Sequence, residues 1–196
     1  MNLPNKLSVL RMCLVPVFVA VMVLSVLIPS FDLVGTVLGV LLFIAASYTD
    51  MLDGKIARKY GLITDFGKFI DPLADKMMVI GALVVLLYKY TDLRHVLVWA
   101  VLVVIFRELA ISGVRMLAAG ASVVIAAKYI GKVKTVIQIV CVCTIMIEPL
   151  LAKIPFLSVL AYRPLSYLTI AAMIVITVWS GIDYMYSYRE FLNPNK

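Results

Sequence analysis

The chain is poor in the residues that most soluble enzymes use for chemistry. It has one histidine, His95, three cysteines, and 15% charged residues in 196. A single histidine excludes a multi-histidine metal centre. Cys13, Cys141 and Cys143 all fall within apolar segments, and positions 141 and 143 stand about 200° apart on a helix. They read as buried free thiols with no disulfide or metal role. No low-complexity stretch, linker, internal repeat or soluble domain interrupts the sequence, so one compact domain, 1–196, is expected. Gly131-Lys132-Val133-Lys134-Thr135 lacks the glycine spacing of a P-loop.

What is abundant is apolar surface. Hydrophobic residues make up 64% of the chain and mean hydropathy is +1.07, against about 45–50% apolar in a soluble domain. Stretches at roughly 9–29, 33–56, 68–90, 96–119, 131–151 and 163–187 are long enough to cross a hydrocarbon core of about 30 Å. Each must be helical, because lipid offers backbone groups no partner. The expected fold is an all-α membrane bundle of six spans. The first apolar run is long and lacks an A-x-A-like site after Ile28, Pro29 and Ser30, so it is expected to remain as a helix.

Six spans put both termini on one side. Of 18 Lys plus Arg, only Lys89, Arg94, Lys153 and Arg163 fall opposite, which leaves 18 − 4 = 14 on the side of the termini. The positive-inside rule then places the termini, and a cavity on that side, at the cytoplasm of a cell membrane. Pro29-Ser30, Thr91-Asp92 and Ala152 to Pro155 punctuate the outer side, and Gly61, Gly120 and Gly131 the inner one.

The acidic residues are concentrated where the second and third apolar segments meet. Asp50 and Asp53 are i, i+3 near the end of one expected helix, and Asp71 and Asp75 are i, i+4 near the start of the next, so each pair shares a face. A carboxylate at mid-helix in a bilayer costs roughly 2.5–3.5 kcal/mol on insertion scales. Hard divalent cations such as Mg²⁺ or Mn²⁺ compensate such a set and can clamp a phosphoryl group. Gly54 and Gly67 allow close approach to the backbone. A simpler reading makes these aspartates caps and lysine partners, with Asp71 capping a helix whose first residue is Pro72.

The run Asp50-x-x-Asp53-Gly54-x-x-Ala57-Arg58, eight residues, Gly67-x-x-x-Asp71-x-x-x-Asp75 resembles the signature of the CDP-alcohol phosphatidyltransferase family at every position. The resemblance implies a six-helix, homodimeric membrane enzyme that uses two divalent metals, Mg²⁺ or Mn²⁺, to move a phosphatidyl or substituted phosphoryl group from a CDP-linked donor to an alcohol. It implies that Asp50, Asp53 and Asp71 hold metal, that Asp75 contributes to metal binding and acts as base, and that Gly54, Ala57, Arg58 and Gly67 line the nucleotide site.

Outside the signature, Pro4 to Arg11 is similar to the segment preceding the first span in bacterial members, near the nucleotide. Asn5 would meet cytosine, Ser8 would sit beside it and Arg11 would reach a phosphate, although Asn5 and Ser8 also suit helix capping. In Arg107-Glu108-Leu109-Ala110-Ile111-Ser112-Gly113-Val114-Arg115, Glu108, Ser112 and Arg115 share one face. An arginine is left over once Glu108 is matched, and surplus arginine suits a phosphate. Lys132 and Lys134 open the fifth span on the same side, with Lys128 just before them.

Both segments resemble bacterial family members. The resemblance implies CDP-diacylglycerol as donor and sn-glycerol 3-phosphate as acceptor, its phosphate held by Arg107, Arg115, Lys132 and Lys134. Relatives that make cardiolipin, or inositol phosphate, serine or choline lipids, share the aspartate motif. A divalent-cation transporter is the reading from another class, and the cations beside the acids oppose it. Membrane topology and an anionic substrate account for the formal charge of +7, which leaves nucleic acid no place as a partner.

Overall fold

A computed structural model describes residues 2–60, 64–120 and 129–189. Six α-helices follow in chain order: α1 Leu3–Leu27, α2 Asp32–Tyr60, α3 Asp65–Lys89, α4 Arg94–Gly120, α5 Tyr129–Leu151 and α6 Pro164–Ser187. Short 3₁₀ segments, Pro29–Phe31, Thr91–Leu93 and Pro155–Tyr162, join them at one end. Gly61 and Lys128, expected at the other end, lie outside the described residues. No strand occurs among the described residues, as the apolar composition requires. All helices except α3 are long and apolar enough to cross a bilayer, and the chain is a multi-pass membrane protein. α3 is equally long at 25 residues. Asp71, Asp75 and Lys76 in its first half set it apart.

Lipid is as apolar as a protein core, so helices pack here through shape and through polar contacts. In α1 the buried residues Pro4, Ser8, Arg11, Val15, Phe18, Met22 and Ser25 alternate in steps of four and three, the repeat of a coiled-coil seam, with Asn5 buried beside Pro4. α6 repeats it with Ser166, Ile170, Met173, Thr177, Ser180 and Tyr184. α1 packs against α2 and α3, while α6 packs against α4 and α5. Gly35 and Gly39 serve this packing within the chain. A β-carbon at Gly35 would lie 2.6 Å from Cβ of Ser25, and one at Gly39 2.5 Å from Sδ of Met22.

Two expectations about helix starts are corrected. α1 begins at Leu3, after Asn2, which makes no side-chain cap; Asn5 and Ser8 therefore lie inside the helix and point sideways. α3 begins at Asp65, because Thr64 caps it by accepting the Gly67 N–H at 3.0 Å. Asp71 and Pro72 thus sit two turns inside α3, so Asp71 is no cap and its carboxylate turns towards α1.

The end opposite the aspartates is tied by polar contacts. Glu148, 1% exposed, accepts the N–H groups of Leu165 and Ser166 at 2.8 Å each, capping α6. Arg163, in the left-handed region at φ 61°, meets Asp92 at 3.0 Å and lies 4.6 Å over the Tyr90 ring. Lys89 meets Asp32 at 2.6 Å. His95 is at this end too, against Tyr167 and remote from the acids.

Candidate active site

Three helices build the acidic end. α2 presents Asp50 and Asp53, α3 presents Asp71 and Asp75, and α1 threads a polar edge between them. The guanidinium of Arg11 is fully buried and makes ion pairs with Asp50, Asp53 and Asp75. Ser8, also fully buried, lies 2.5 Å from Oδ1 of Asp71 and 3.4 Å from Oδ2 of Asp53. Its single proton is best placed on Asp71. All four carboxylates of the motif are therefore brought together, and the residues that organise them come from the first turns of the chain.

Asn5 donates to Oγ1 of Thr64 at 3.0 Å, fixing the entry to α3. Gly67 is buried beneath this pair. A β-carbon there would lie 3.0 Å from Oδ1 of Asn5 and 3.2 Å from Oγ1 of Thr64, so the missing side chain makes room for α1. Gly54 follows Asp53 on α2, partly exposed. Ala57 and Arg58 stand further along α2, and their side chains lie outside the described residues.

The donor chemistry is that of a hard-cation site, carboxylate oxygens with no nitrogen or sulfur. Formally, four carboxylates against one guanidinium leave three negative charges. As the side chains stand, however, no group of three described acidic, His or Cys residues is spaced to hold one ion. Arg11 fills the space between the carboxylates. A metal would have to take the place of its guanidinium.

Beside Asp75 a cavity of about 270 Å³ opens between α3, α4, α5 and α6, lined by Arg107, Arg115, Lys132 and Lys134, as well as by Lys76 and Glu108. The four cations read from sequence as one acceptor cluster do meet. Their commitments differ. Glu108 is matched twice, by Arg107 at 3.0 Å and by Lys134, and Arg107 also donates to Oγ of Ser180 at 2.6 Å. Arg115 donates through Nε to the Tyr184 hydroxyl at 3.0 Å, while Lys132 is exposed at the rim.

Sequence reasoning missed Lys76, Ser180 and Tyr184. Lys76 donates to the Ser112 hydroxyl, which in turn donates to the Glu108 carbonyl at 2.6 Å. Among the described residues, Lys76, Arg115 and Lys132 make no ion pair with a carboxylate. The cations with no carboxylate paired to them are therefore these three, and Glu108, facing two cations, leaves one further positive charge uncompensated. The signal for Lys76 was its place directly after Asp75, on a face turned to α4.

Clustered carboxylates beside a cavity with spare cations are the chemistry of phosphoryl transfer at a membrane. The chain belongs to the CDP-alcohol phosphatidyltransferase family, whose sequence model matches residues 1–179. Within it, a Bacillus subtilis (strain 168) protein named CDP-diacylglycerol–glycerol-3-phosphate 3-phosphatidyltransferase is 41% identical over 99% of this chain and 98% of its own length. Proteins of the same name from Haemophilus influenzae and Rickettsia bellii are 34% and 32% identical. The first aligns over 99% of this chain and 97% of itself, and the second over 97% of each.

Proposed function

We propose that this protein transfers the phosphatidyl group of CDP-diacylglycerol to sn-glycerol 3-phosphate, giving phosphatidylglycerol phosphate and CMP. The observation that carries the choice of acceptor is the cavity next to Asp75, in which Lys76, Arg115 and Lys132 have no carboxylate partner among the described residues. Such cations suit the phosphate of a small anionic alcohol. The relatives' shared name and their full-length likeness support the same reading. The acidic end faces the cytoplasm, where the basic residues gather.

In the reaction a primary hydroxyl of the acceptor attacks the phosphorus that carries the diacylglycerol. A new P–O bond forms there, the bond to the bridging oxygen breaks, and CMP departs with that electron pair. Asp75, at the boundary between the acidic cluster and the cavity, takes the hydroxyl proton. Asp50, Asp53, Asp71 and Asp75 would hold two divalent cations, Mg²⁺ or Mn²⁺, which when bound draw charge off the diphosphate. Arg11, released from the carboxylates, turns to a donor phosphate. Asn5, Ser8, Gly54, Ala57, Arg58 and Gly67 complete the nucleotide side. The cationic cavity holds the acceptor so that the two reactants meet in line. Transfer is direct, from donor to acceptor, with no covalent enzyme intermediate.

The test is to incubate the purified protein with labelled CDP-diacylglycerol, Mg²⁺ and a panel of alcohols, and to follow CMP release. Glycerol 3-phosphate should give the fastest release and plain glycerol little. Preference for phosphatidylglycerol, serine or inositol phosphate would replace the acceptor while leaving the family untouched.

A further inference from the structure

Beside the cation-lined cavity lies a smaller chamber of about 40 Å³ that shares Asp75, Lys76, Glu108 and Lys134 with it and is also lined by Val79, Val104 and Gln138. Gln138 stands one turn beyond Lys134 on α5 and is 1% exposed. Its Nε2 is buried with no hydrogen-bond partner. A buried amide donor left unpaired is costly, and native structures keep few of them without a reason. The Gln138 side chain lines a chamber wide enough for a water or a hydroxyl group. The same chamber touches the carboxylate assigned to the proton transfer and two of the cations that line the acceptor cavity, Lys76 and Lys134.

We propose that Gln138 is a specificity residue whose Nε2 donates to the secondary hydroxyl of the acceptor, so that the site selects a phosphorylated polyol with a hydroxyl beside the reacting carbon. This rests on the acceptor reading above and extends it. With the phosphate in the outer cavity and the reacting hydroxyl at Asp75, the middle carbon of a three-carbon acceptor passes between the two chambers. Its hydroxyl then turns into the smaller one. A site built to pair a substrate hydroxyl discriminates strongly against the analogue that lacks it, because its own donor is then left unpaired.

The test compares glycerol 3-phosphate with 3-hydroxypropyl phosphate, the same molecule without the middle hydroxyl, in wild type and in Gln138→Leu. Wild type should prefer glycerol 3-phosphate by about 10-fold or more in kcat/KM. Gln138→Leu should lose most of that preference by slowing with glycerol 3-phosphate alone, with the KM for CDP-diacylglycerol unchanged. If Gln138→Leu does not fold, Gln138→Met removes the donor at nearly constant length, and the wild-type comparison stands without either variant. Equal use of both acceptors by wild type, or an equal loss on both in the variant, makes Gln138 a packing residue and overturns the proposal. CMP release with neither phosphate but with another alcohol would overturn the acceptor reading itself, and this proposal with it.

Discussion

Arg11 and Asp75, 64 residues apart in sequence, meet through a single guanidinium nitrogen, Nη1, which also reaches Asp50. The acidic end is thus arranged around a cation carried by α1. Burying one guanidinium among carboxylates is tolerable because the charges compensate, and removing either side leaves the other stranded.

The first expectation concerns that cation. Arg11→Met should destabilise the protein without divalent ions by about 3 kcal/mol, in the range for removing one partner of a buried pair. Adding Mn²⁺ should recover much of the loss, since the metal replaces the missing charge. Thermal unfolding in detergent, with and without Mn²⁺, measures both. An Arg11→Met protein as stable as wild type in chelator would show that the carboxylates do not depend on Arg11.

A second expectation separates folding from chemistry. Asp50→Asn, Asp53→Asn and Asp71→Asn each keep side-chain shape while removing one ligand charge, so each should give a folded protein with almost no turnover. Size-exclusion chromatography and CMP release make the comparison. Near-normal turnover in any of the three, with unchanged dependence on Mg²⁺, would count against metal binding by all four carboxylates.

Asp75 differs from the other three because it also lines the acceptor cavity. As the base, Asp75→Asn should lower kcat by about 10²–10⁴-fold, the usual range for general base catalysis, while CDP-diacylglycerol still binds. Binding measured directly, beside single-turnover rates, distinguishes the roles. A parallel loss of donor binding and rate would restrict Asp75 to holding metal.

How far the sequence could be read depended on contrast. Charge in a chain this apolar is conspicuous, so the aspartate motif and the Arg107, Arg115, Lys132 and Lys134 set could be picked out, and the structure brings each set together. Arg11 as partner of Asp75 could not, because nothing local joins residues that far apart. The buried seams of α1 and α6 were equally hidden. A face turned to lipid is as apolar as one turned to the core, so periodicity gives no amphipathic signal. Pro72 misled for another reason: a proline after an aspartate reads as a helix start, whereas Thr64 begins α3 and Ser8 draws Asp71 aside. Gln138, an isolated amide in an apolar run, was visible as a polar residue. Its lack of a partner emerged only once α5 was packed.

The last expectation uses the division among the cavity cations. Lys134 and Arg107 are committed to Glu108, so Lys134→Ala should act chiefly on stability, by leaving the buried Glu108 with Arg107 as its one remaining cation partner of the two. Lys76, Arg115 and Lys132 have no such duty among the described residues. Lys76→Met, Arg115→Ala and Lys132→Ala should each leave folding and the KM for CDP-diacylglycerol nearly unchanged. Each should raise the KM for glycerol 3-phosphate by about 10- to 150-fold where its charge contacts the phosphate, equivalent to roughly 1.5–3 kcal/mol for a charged hydrogen bond. Arg115 and Lys132, both exposed, should give smaller rises than Lys76, because water and salt screen them. Steady-state kinetics with each substrate varied in turn decides the matter: if these three weaken donor and acceptor alike, the cavity beside Asp75 is not where the acceptor phosphate binds.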